Sequence, residues 1–326
     1  NQLASPRLAQ STGYIFLTLN SGSVNNKGME LSINAIPIDK KDFTWDVTLN
    51  LSGNRGTLGN FLPGVGLFYV TDVQIGGVKA ASVPNGGYFL GLTGDYWLRE
   101  KDADGNEIAN GRYQVDPTTG LYKTSKVTTN VVGNREPFMI GGLNNSFRYK
   151  NLNLSFLFDI RIGGDIYNGT EYNSTVRGLS MRTLDRQSVT IEGVSSVTGE
   201  PLSYTYEAGK MYTVNGAQKS GNYMIQQHWN NYGENAHNFI TKTNWLRLRS
   251  LSLSYDFTDL FKNKNIVKGL SATFAANNLF VWTNYKGMDP EVSVSGSGTG
   301  GSGSMGIDYN GIPATRNVTF GLNFTF

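Results

Sequence analysis

Apolar and polar residues alternate through the last nine positions of the chain, residues 318–326, and every second residue is large and apolar. The apolar set is Val318, Phe320, Leu322, Phe324 and Phe326. An alternation of period two predicts a strand with one apolar and one polar face, and about 9–11 residues let a tilted strand cross a bilayer. The pattern therefore favours a membrane β-barrel over a half-buried strand of a soluble sandwich.

Earlier segments repeat this alternation, at residues 29–35, 43–52, 152–160, 246–257 and 270–276. In the segment 246–257 the phase changes by one residue at Ser250, which would turn apolar residues to the wrong face unless a β-bulge absorbs the change. We therefore expect a bulge near Ser250. Together the patterns predict about ten antiparallel strands.

The connections between these segments differ in length. Short connections are expected at 37–42, 148–151 and 258–268, and long ones at 54–135, 163–242 and 283–315. Short turns at one end and long loops at the other are typical of outer-membrane barrels, whereas structureless loops of this length are uncommon in compact soluble domains. The organisation thus agrees with an all-β membrane fold.

Composition narrows the function classes. Charged residues make up 16% of the chain, below the value of about 25% for soluble domains, and no apolar run reaches the roughly 18 residues of a membrane helix. The chain has no Cys, which excludes disulfides and thiolate metal sites. A net charge of +3 gives no support for nucleic-acid binding.

Five short motifs carry a family resemblance. They are N-N-K-G-M-E-L at 25–31, G-G-L-N-N-S-F-R-Y-K-N at 141–151, W-L-R-L-R at 245–249, N-N-L at 277–279 and Y-K-G-M-D-P-E at 285–291. In this order, followed by I-P-A-T-R at 312–316 and the aromatic last strand, they resemble the SusC/RagA branch of TonB-dependent outer-membrane receptors. The resemblance runs with gaps from about residue 20 to residue 326.

The resemblance implies a transmembrane antiparallel β-barrel of about 22 strands with a plug and long extracellular loops. Ten strands cannot close such a barrel, so residues 1–326 are expected to be its C-terminal part, without the plug domain and early strands. The chain also starts at Asn1 without a signal-like segment. Either processing has removed the signal that an outer-membrane protein needs, or the segment precedes this chain.

The function that the resemblance implies is TonB-dependent active import of a glycan or peptide nutrient through the outer membrane, as a multi-pass barrel in lipid. The implied partners are a SusD-like surface lipoprotein and TonB, the latter bound through the missing N-terminal region. Alternatives are a complete small passive porin or a structural, adhesin-like barrel. An outer-membrane hydrolase is not supported, because the sequence has no nucleophile motif or metal cluster.

Arginine on the lipid-facing side of a strand costs about 2–4 kcal/mol near the bilayer midplane. Arg247 and Arg249 alternate with leucines, so we expect both to face the barrel lumen. Asn323 is expected on the same side, together with Thr325, Asp46 and Asn50.

Aromatic residues in the long loops are the candidate substrate contacts: Tyr96, Trp97, Trp229 and Tyr232. Their rings could stack on sugar rings or peptide side chains, and packing within the loops is the alternative. The remaining tryptophans lie near predicted strand ends, where aromatic girdles meet the membrane interfaces, and are Trp45, Trp245 and Trp282.

Other motifs give no catalytic, metal or cofactor site, and no enzyme activity is expected. Residues 102–106 resemble the start of a calcium loop but lack its Gly at position six and Glu at position twelve, which favours a plain turn. Residues 296–301 fit G-x-G-x-x-G without the flanking strand and helix that nucleotide binding needs. His228 and His237 are expected to be solvated loop residues.

Overall fold

The computed structural model describes residues 2–4, 9–60, 66–84, 87–127, 130–260, 268–294 and 305–326. The glycine-rich motif at 296–301 lies outside the described residues. Within the described chain, no helix combines the length and the apolar character that a bilayer crossing by a helix demands.

Eight antiparallel strands form one sheet, which we call the wall, and each strand pairs with the next in chain order. They are β1 (Gln2–Ala4), β2 (Leu19–Lys40), β3 (Phe43–Gly59), β4 (Met139–Tyr149), β5 (Leu152–Ile162), β6 (Trp245–Asp256), β7 (Gly269–Thr283) and β8 (Asn317–Thr325). The prediction of an all-β fold with one antiparallel sheet is confirmed, whereas the predicted ten strands are eight in the described wall.

One face of the wall is apolar. Directly paired residues of antiparallel strands share a face, and Leu143 pairs with both Leu49 and Phe158. Phe158 in turn pairs with Leu248. The large residues of β8 continue this apolar face, where Phe320 is 80% exposed. The opposite side, the polar face, carries the intervening Ser, Thr, Asn, Asp and Arg residues.

The bulge predicted near Ser250 is confirmed. Leu157 and Phe158 of β5 pair with Ser250 and Leu248, so Arg249 is the extra residue of β6. The register between β6 and β7 shifts at the same level, where Asn278 has a positive φ of 54°. The bulge absorbs the change of phase, and the leucines on both sides of it stay on the apolar face.

The connections alternate in length as predicted. The turn between β2 and β3 is shorter than the expected 37–42 segment, because β2 continues to Lys40 and leaves two residues between the strands. β4 and β5 are joined by a similarly tight turn at 150–151. The three long connections, 60–138, 163–244 and 284–316, leave the opposite end of the wall.

The long connections hold regular structure that the alternation did not predict. Two helices lie in the second connection, α1 (Gly169–Val176) and α2 (Gly221–Gly233). The 3-10 turns among the described residues are Gln10–Thr12, Met181–Thr183, Ala236–Asn238 and Thr258–Leu260. Short strands fill the remainder: Phe68–Ile75, Val78–Ser82, Gly91–Thr93, Tyr96–Trp97, Gln114–Asp116, Leu121–Tyr122, Thr124–Ser125, Val131–Asn134, Asp165–Asn168, Ser188–Ser195, Pro201–Glu207, Met211–Val214, Ala217–Ser220, Ile240–Lys242 and Ile307–Asp308.

Side-chain capping explains where both helices begin. The Asn168 side chain accepts a hydrogen bond from the Glu171 backbone N–H, and Ser220 does the same for Tyr223. Asn and Ser are preferred N-cap residues because their oxygen satisfies a backbone donor that the helix leaves unpaired. The first turn of each helix is therefore fixed within the connection.

Two hydrophobic clusters hold this outer layer together. The first joins all three long connections and contains Val78, Ala80, Leu92, Val132, Tyr167, Ala236, Phe239 and Ile307. The second joins the first two connections and contains Val115, Ile191, Tyr206, Met224 and Ile225. Buried apolar contact between distant segments makes the long connections a packed layer over one end of the wall.

Candidate functional site

The polar face bears a group of ion pairs where β6 passes under the third long connection. Arg247 is 2% exposed, and its Nη2 donates to Asp289 Oδ1 at 2.5 Å. Its Nε lies 2.7 Å from Glu291 Oε2 in an ion pair, although the N–H is not directed at that oxygen. Two carboxylates of the connection are thus held against one arginine of the wall.

Arg249 extends this group across the wall. The bulge directs its side chain to the polar face, where Nε donates to Asp159 Oδ2 of β5 at 2.5 Å and Nη2 donates to Glu291 Oε1 at 2.7 Å. Its Nη1 donates to Asn278 Oδ1 at 3.3 Å. We call the two arginines with Asp159, Asp289 and Glu291 the arginine latch, because it ties residues 289–291 to two strands.

A second buried contact anchors the same connection in the outer layer. The Tyr285 hydroxyl donates to Asp308 Oδ2 at 2.6 Å, and Thr170 of α1 donates to the other oxygen of that carboxylate at 3.1 Å. Burial, and then the Asp308 carboxylate, raises the pKa of Tyr285, so the phenol stays protonated as the donor. Both ends of the motif at 285–291 therefore anchor the third connection: Tyr285 binds the outer layer, and residues 289–291 bind the wall.

Beside the arginine latch, the polar face forms a concavity of about 660 Å³ that is open to solvent. Glu30, Asn50, Asp159, Arg161 and Arg249 are among its lining residues. Charges of both signs and amide groups can exchange hydrogen bonds with a polar solute. This chemistry suits contact with water and polar molecules and supplies no activated nucleophile.

The predicted lumen residues all lie on the polar face. Asp46 and Asn50 pair with Ser146 and Gly142 of β4. Asn323 pairs with Ser271 of β7, and Thr325 follows two residues later on the same face. Arg247 is covered by the third connection, however, while Arg249 keeps partial exposure. That this face borders a barrel lumen stays a prediction.

Three of the four candidate aromatic residues meet, although they come from separate connections. The ring centroids of Trp97 and Tyr232 are 5.7 Å apart, and those of Trp229 and Tyr232 are 5.5 Å apart. Trp97 is 6% exposed and donates its Nε1–H to the Asn231 carbonyl at 2.9 Å. Tyr96 is directed elsewhere, toward His237.

This packing limits which of these rings a ligand can reach. Tyr113, Tyr122 and Tyr232 surround the Trp97 ring, with Tyr122 at a centroid distance of 4.1 Å. Trp229 instead lines a cleft at the surface of the outer layer. Substrate contact by the four aromatic residues stays a prediction, and the geometry favours Trp229 for it.

The girdle prediction is wrong for one tryptophan. Trp245 pairs with Arg161 of β5 and so lies on the polar face. Trp282 pairs with Leu246 on the apolar face and is 54% exposed. Trp45 is also on the apolar face, where its Nε1 donates to Asn145 Oδ1 at 3.1 Å. Alternation within β6 explains why Trp245 lies on the polar face, because it is two residues from Arg247 and therefore on the same side of the strand.

The expectation of solvated histidines is wrong for His228. Its side chain is buried in α2 beside Trp229, at a ring-centroid distance of 5.0 Å. Desolvation by burial lowers the pKa of His228 to about 4, so the imidazole is neutral at physiological pH. His237 is exposed, as expected.

The calcium-like segment forms a plain turn. The Asp102 carboxylate accepts hydrogen bonds from the backbone N–H groups of Asp104 and Asn106, at 3.0 and 2.9 Å. An Asx turn of this kind satisfies the carboxylate without a cation. Across the described ranges, His, Asp and Glu side chains form no group of three that could hold a metal ion.

Three members of the arginine latch were missed in the sequence: Asp159, Asp289 and Glu291. A usable signal was present, because two arginines expected inside a barrel require anionic partners, and D-P-E follows the next strand. The distance of about 40 residues between Arg247 and Asp289 concealed which carboxylates pair with which arginine.

Sequence comparison finds relatives that are receptors. The chain is 27% identical over 344 aligned positions to TonB-dependent receptor P26 of Formosa agariphila, covering 98% of this chain and 31% of the relative. It is 26% identical over 324 positions to TonB-dependent receptor SusC of Bacteroides thetaiotaomicron, covering 95% of this chain and 27% of the relative. No family model matches the chain.

Solved structures share the fold. The RagAB peptide transporter matches with a TM-score of 0.60 at 18% identity, over 98% of this chain and 31% of that one. The RagAB peptide importer in the open-open state matches with a TM-score of 0.62 at 17% identity, over 99% and 31% of the two chains. This chain therefore spans about a third of the length of the proteins it matches.

These relatives are named as receptors and transporters, in agreement with the expectation that the chain is not an enzyme. The sequence relatives and the fold agree with the wall, whose apolar face, polar face and one-sided long connections are those of an outer-membrane-type barrel. Over almost its whole length, the chain is thus similar to about a third of TonB-dependent receptors such as SusC, and it shares the fold of the matching part of RagAB.

Proposed function

We propose that this chain forms part of the wall, the polar lumen face and the outer loops of a TonB-dependent importer in the outer membrane. The observation that carries the proposal is the sheet with one apolar and one polar face, found in a relative of TonB-dependent receptors. An apolar face of this kind suits lipid, whereas the arginine latch would be costly there.

The same proposal assigns this chain to one part of a longer protein. Residues 1–326 form the C-terminal part of a barrel of about 22 strands, and the plug and early strands belong to the remaining polypeptide. The mature protein extracted from outer membranes would then have roughly three times the mass of this chain, because the chain spans 31% of its relatives.

Glycans and peptides are the proposed substrate classes, and a SusD-like lipoprotein and TonB are the proposed partners. SusC is the name of one relative, and RagAB is described as a peptide transporter. A polar solute of either class could exchange hydrogen bonds with the concavity on the polar face, which offers amide, hydroxyl, carboxylate and guanidinium groups.

The test follows nutrients in the medium of cells that carry the native gene, lack it, or lack TonB. Each strain receives a mixture of peptides and a mixture of oligosaccharides, and mass spectrometry measures their depletion. We expect one class to be depleted only when both the gene and TonB are present. Depletion that needs the gene but not TonB would establish a passive porin instead.

A further inference from the structure

A cleft of about 300 Å³ opens in the second long connection, between the segment that follows α1 and the exposed side of α2. Ile225 and Trp229 give it an apolar and aromatic surface, while Asn222 and Gln226 add amides. Its volume is at the lower end of the range for small-molecule sites, about 300–1,000 Å³. A single sugar or amino-acid unit is the size of ligand that it suits.

The charged residues that line the cleft are Arg177 and Arg186, and the described lining includes no carboxylate. Arg177 donates from Nε to the Asn173 side chain at 2.7 Å. Arg186 donates to the backbone carbonyls of Thr183 and Gly178, at 3.3 and 2.8 Å. Among the residues that the structure describes, neither guanidinium is paired with an anion.

The third arginine of this segment is paired with an acid, which sets Arg177 and Arg186 apart. Arg182 forms an ion pair with Glu171 at 2.9 Å. The Asp185 carboxylate, which is not among the lining residues of the cleft, accepts the backbone N–H of Gln187 at 3.0 Å. The cleft therefore keeps two positive charges beside an apolar surface, and the two carbonyl contacts hold the Arg186 guanidinium in place before a ligand arrives.

We propose that this cleft binds a carboxylate-bearing unit of the ligand, with its oxygens on Arg177 and Arg186 and its body against Trp229. Guanidinium groups recognise carboxylates through parallel N–H bonds, and aromatic faces pack on sugar rings and apolar side chains. This inference rests on the proposed function only for the ligand's origin outside the cell, because binding itself requires no transport.

The carboxylate has two sources, a peptide or an acidic sugar, and four probes separate them. N-acetyl-phenylalanine and its amide test the peptide source, while glucuronate and glucose test the glycan source. Titration calorimetry with the purified full-length protein in detergent measures each affinity at low and high salt. We expect one anionic probe to bind at least tenfold tighter than its neutral partner, and salt to weaken that binding.

Two variants and a matched control complete the experiment. Arg177→Gln and Arg186→Gln should each weaken binding of the anionic probe about tenfold, which is about 1.4 kcal/mol, since each removes a charged hydrogen bond to the carboxylate. Arg112→Gln, which removes an outer-layer arginine already paired with Glu100, should leave the affinity unchanged. Hydrogen exchange of α2 in every variant verifies that the cleft remains folded.

The proposal is overturned if neither anionic probe binds, if the charged and neutral partners bind equally, or if Arg177→Gln binds as the parent does while α2 stays protected. An importer shown to be independent of TonB would change the proposed function and leave these affinities untouched. Refutation of the cleft as a binding site therefore does not refute the proposed importer, and the reverse also holds.

Discussion

Arg247 Nη2 lies 2.5 Å from Asp289 Oδ1, and the two side chains are 3% and 5% exposed. The residues belong to different parts of the molecule, because Arg247 is in wall strand β6 and Asp289 is in the third long connection. Asp289 also accepts the backbone N–H groups of Glu291 and Ala314. The contact therefore shapes the connection and ties it to the wall.

Loss of one partner in this pair should release the connection. Removing one member of a buried ion pair typically costs about 3–5 kcal/mol. Arg247→Met leaves the buried Asp289 carboxylate without its cation, and Asp289→Asn leaves Arg247 only its contact with Glu291. We expect Arg247→Met and Asp289→Asn each to accelerate hydrogen exchange of residues 284–294. Arg148→Gln, at the opposite end of the wall where Arg148 donates to Thr44, is the control and should leave that exchange unchanged.

A double variant measures whether Arg247 and Asp289 act together or independently. Arg247→Met combined with Asp289→Asn removes both charges, so we expect the double variant to accelerate exchange by less than the sum of the two single effects. Purely additive effects would show that the two side chains act independently, and that the contact does not tie the connection to the wall.

The hydrogen bond from Trp45 to Asn145 places an amide on the apolar face, where Asn145 is buried. Asn145→Leu should leave the indole N–H without its acceptor and lower stability by roughly 1 kcal/mol. Trp45→Phe together with Asn145→Leu should restore part of that loss, because both polar groups are then absent. The temperature at which the folded band is lost in semi-native electrophoresis measures each variant.

Neighbouring residues of β8 should respond oppositely to a charge. Leu322 pairs with Ala272 on the apolar face, and Asn323 pairs with Ser271 on the polar face. Leu322→Arg should block barrel assembly, since arginine facing lipid costs about 2–4 kcal/mol near the midplane. Asn323→Arg should assemble. Equal amounts of folded barrel in membranes for the two variants would refute the assignment of the faces.

His228 should make the outer layer sensitive to pH. Its pKa is lowered to about 4 in the folded protein, against about 6.5 when unfolded. Above pH 6.5 the imidazole is neutral in both the folded and the unfolded state, so it does not affect stability. Below pH 6.5 the unfolded state binds a proton that the folded state does not, which favours unfolding. Stability should fall between pH 6.5 and pH 4, by about 3 kcal/mol in total.

Hydrogen exchange of α2 at pH 7.5 and pH 5 measures this effect, after correction for the intrinsic pH dependence of exchange. His228→Leu removes the titrating group and places an apolar side chain among the aromatic neighbours. Helix α2 of this variant should therefore lose less protection from exchange at pH 5 than α2 of the parent protein. The same loss in the parent and the variant would assign the pH dependence to other groups.

The wall was predictable because most of its residues obey a local rule. Alternation of period two gave the strands their faces, and the phase change at Ser250 located the bulge that leaves Arg249 unpaired in the ladder. In a barrel wall, lipid on one side and water on the other make such a pattern strict. For Trp245, the position near a strand end predicts the wrong face, whereas its phase relative to Arg247 predicts the polar face on which it lies.

The outer layer was not predictable in the same way. Its contacts join residues far apart in sequence, such as Trp97 and Tyr232, and no periodic pattern marks them. His228 illustrates the difficulty, since its place in the long predicted connection 163–242 suggested a solvated loop residue. Helix α2 instead turns that histidine inward, which only the tertiary packing determines.

The first hydrophobic cluster has a consequence for the order of folding. Val78, Tyr167 and Ile307 meet in it, although they come from three connections separated by wall strands. Contacts between residues so distant in sequence form slowly unless other structure first brings the segments together. The wall hairpins supply that closeness, so we expect the membrane sheet to pair first and the outer layer to close last. Ligand-recognising surfaces would then mature only on a receptor that is already inserted.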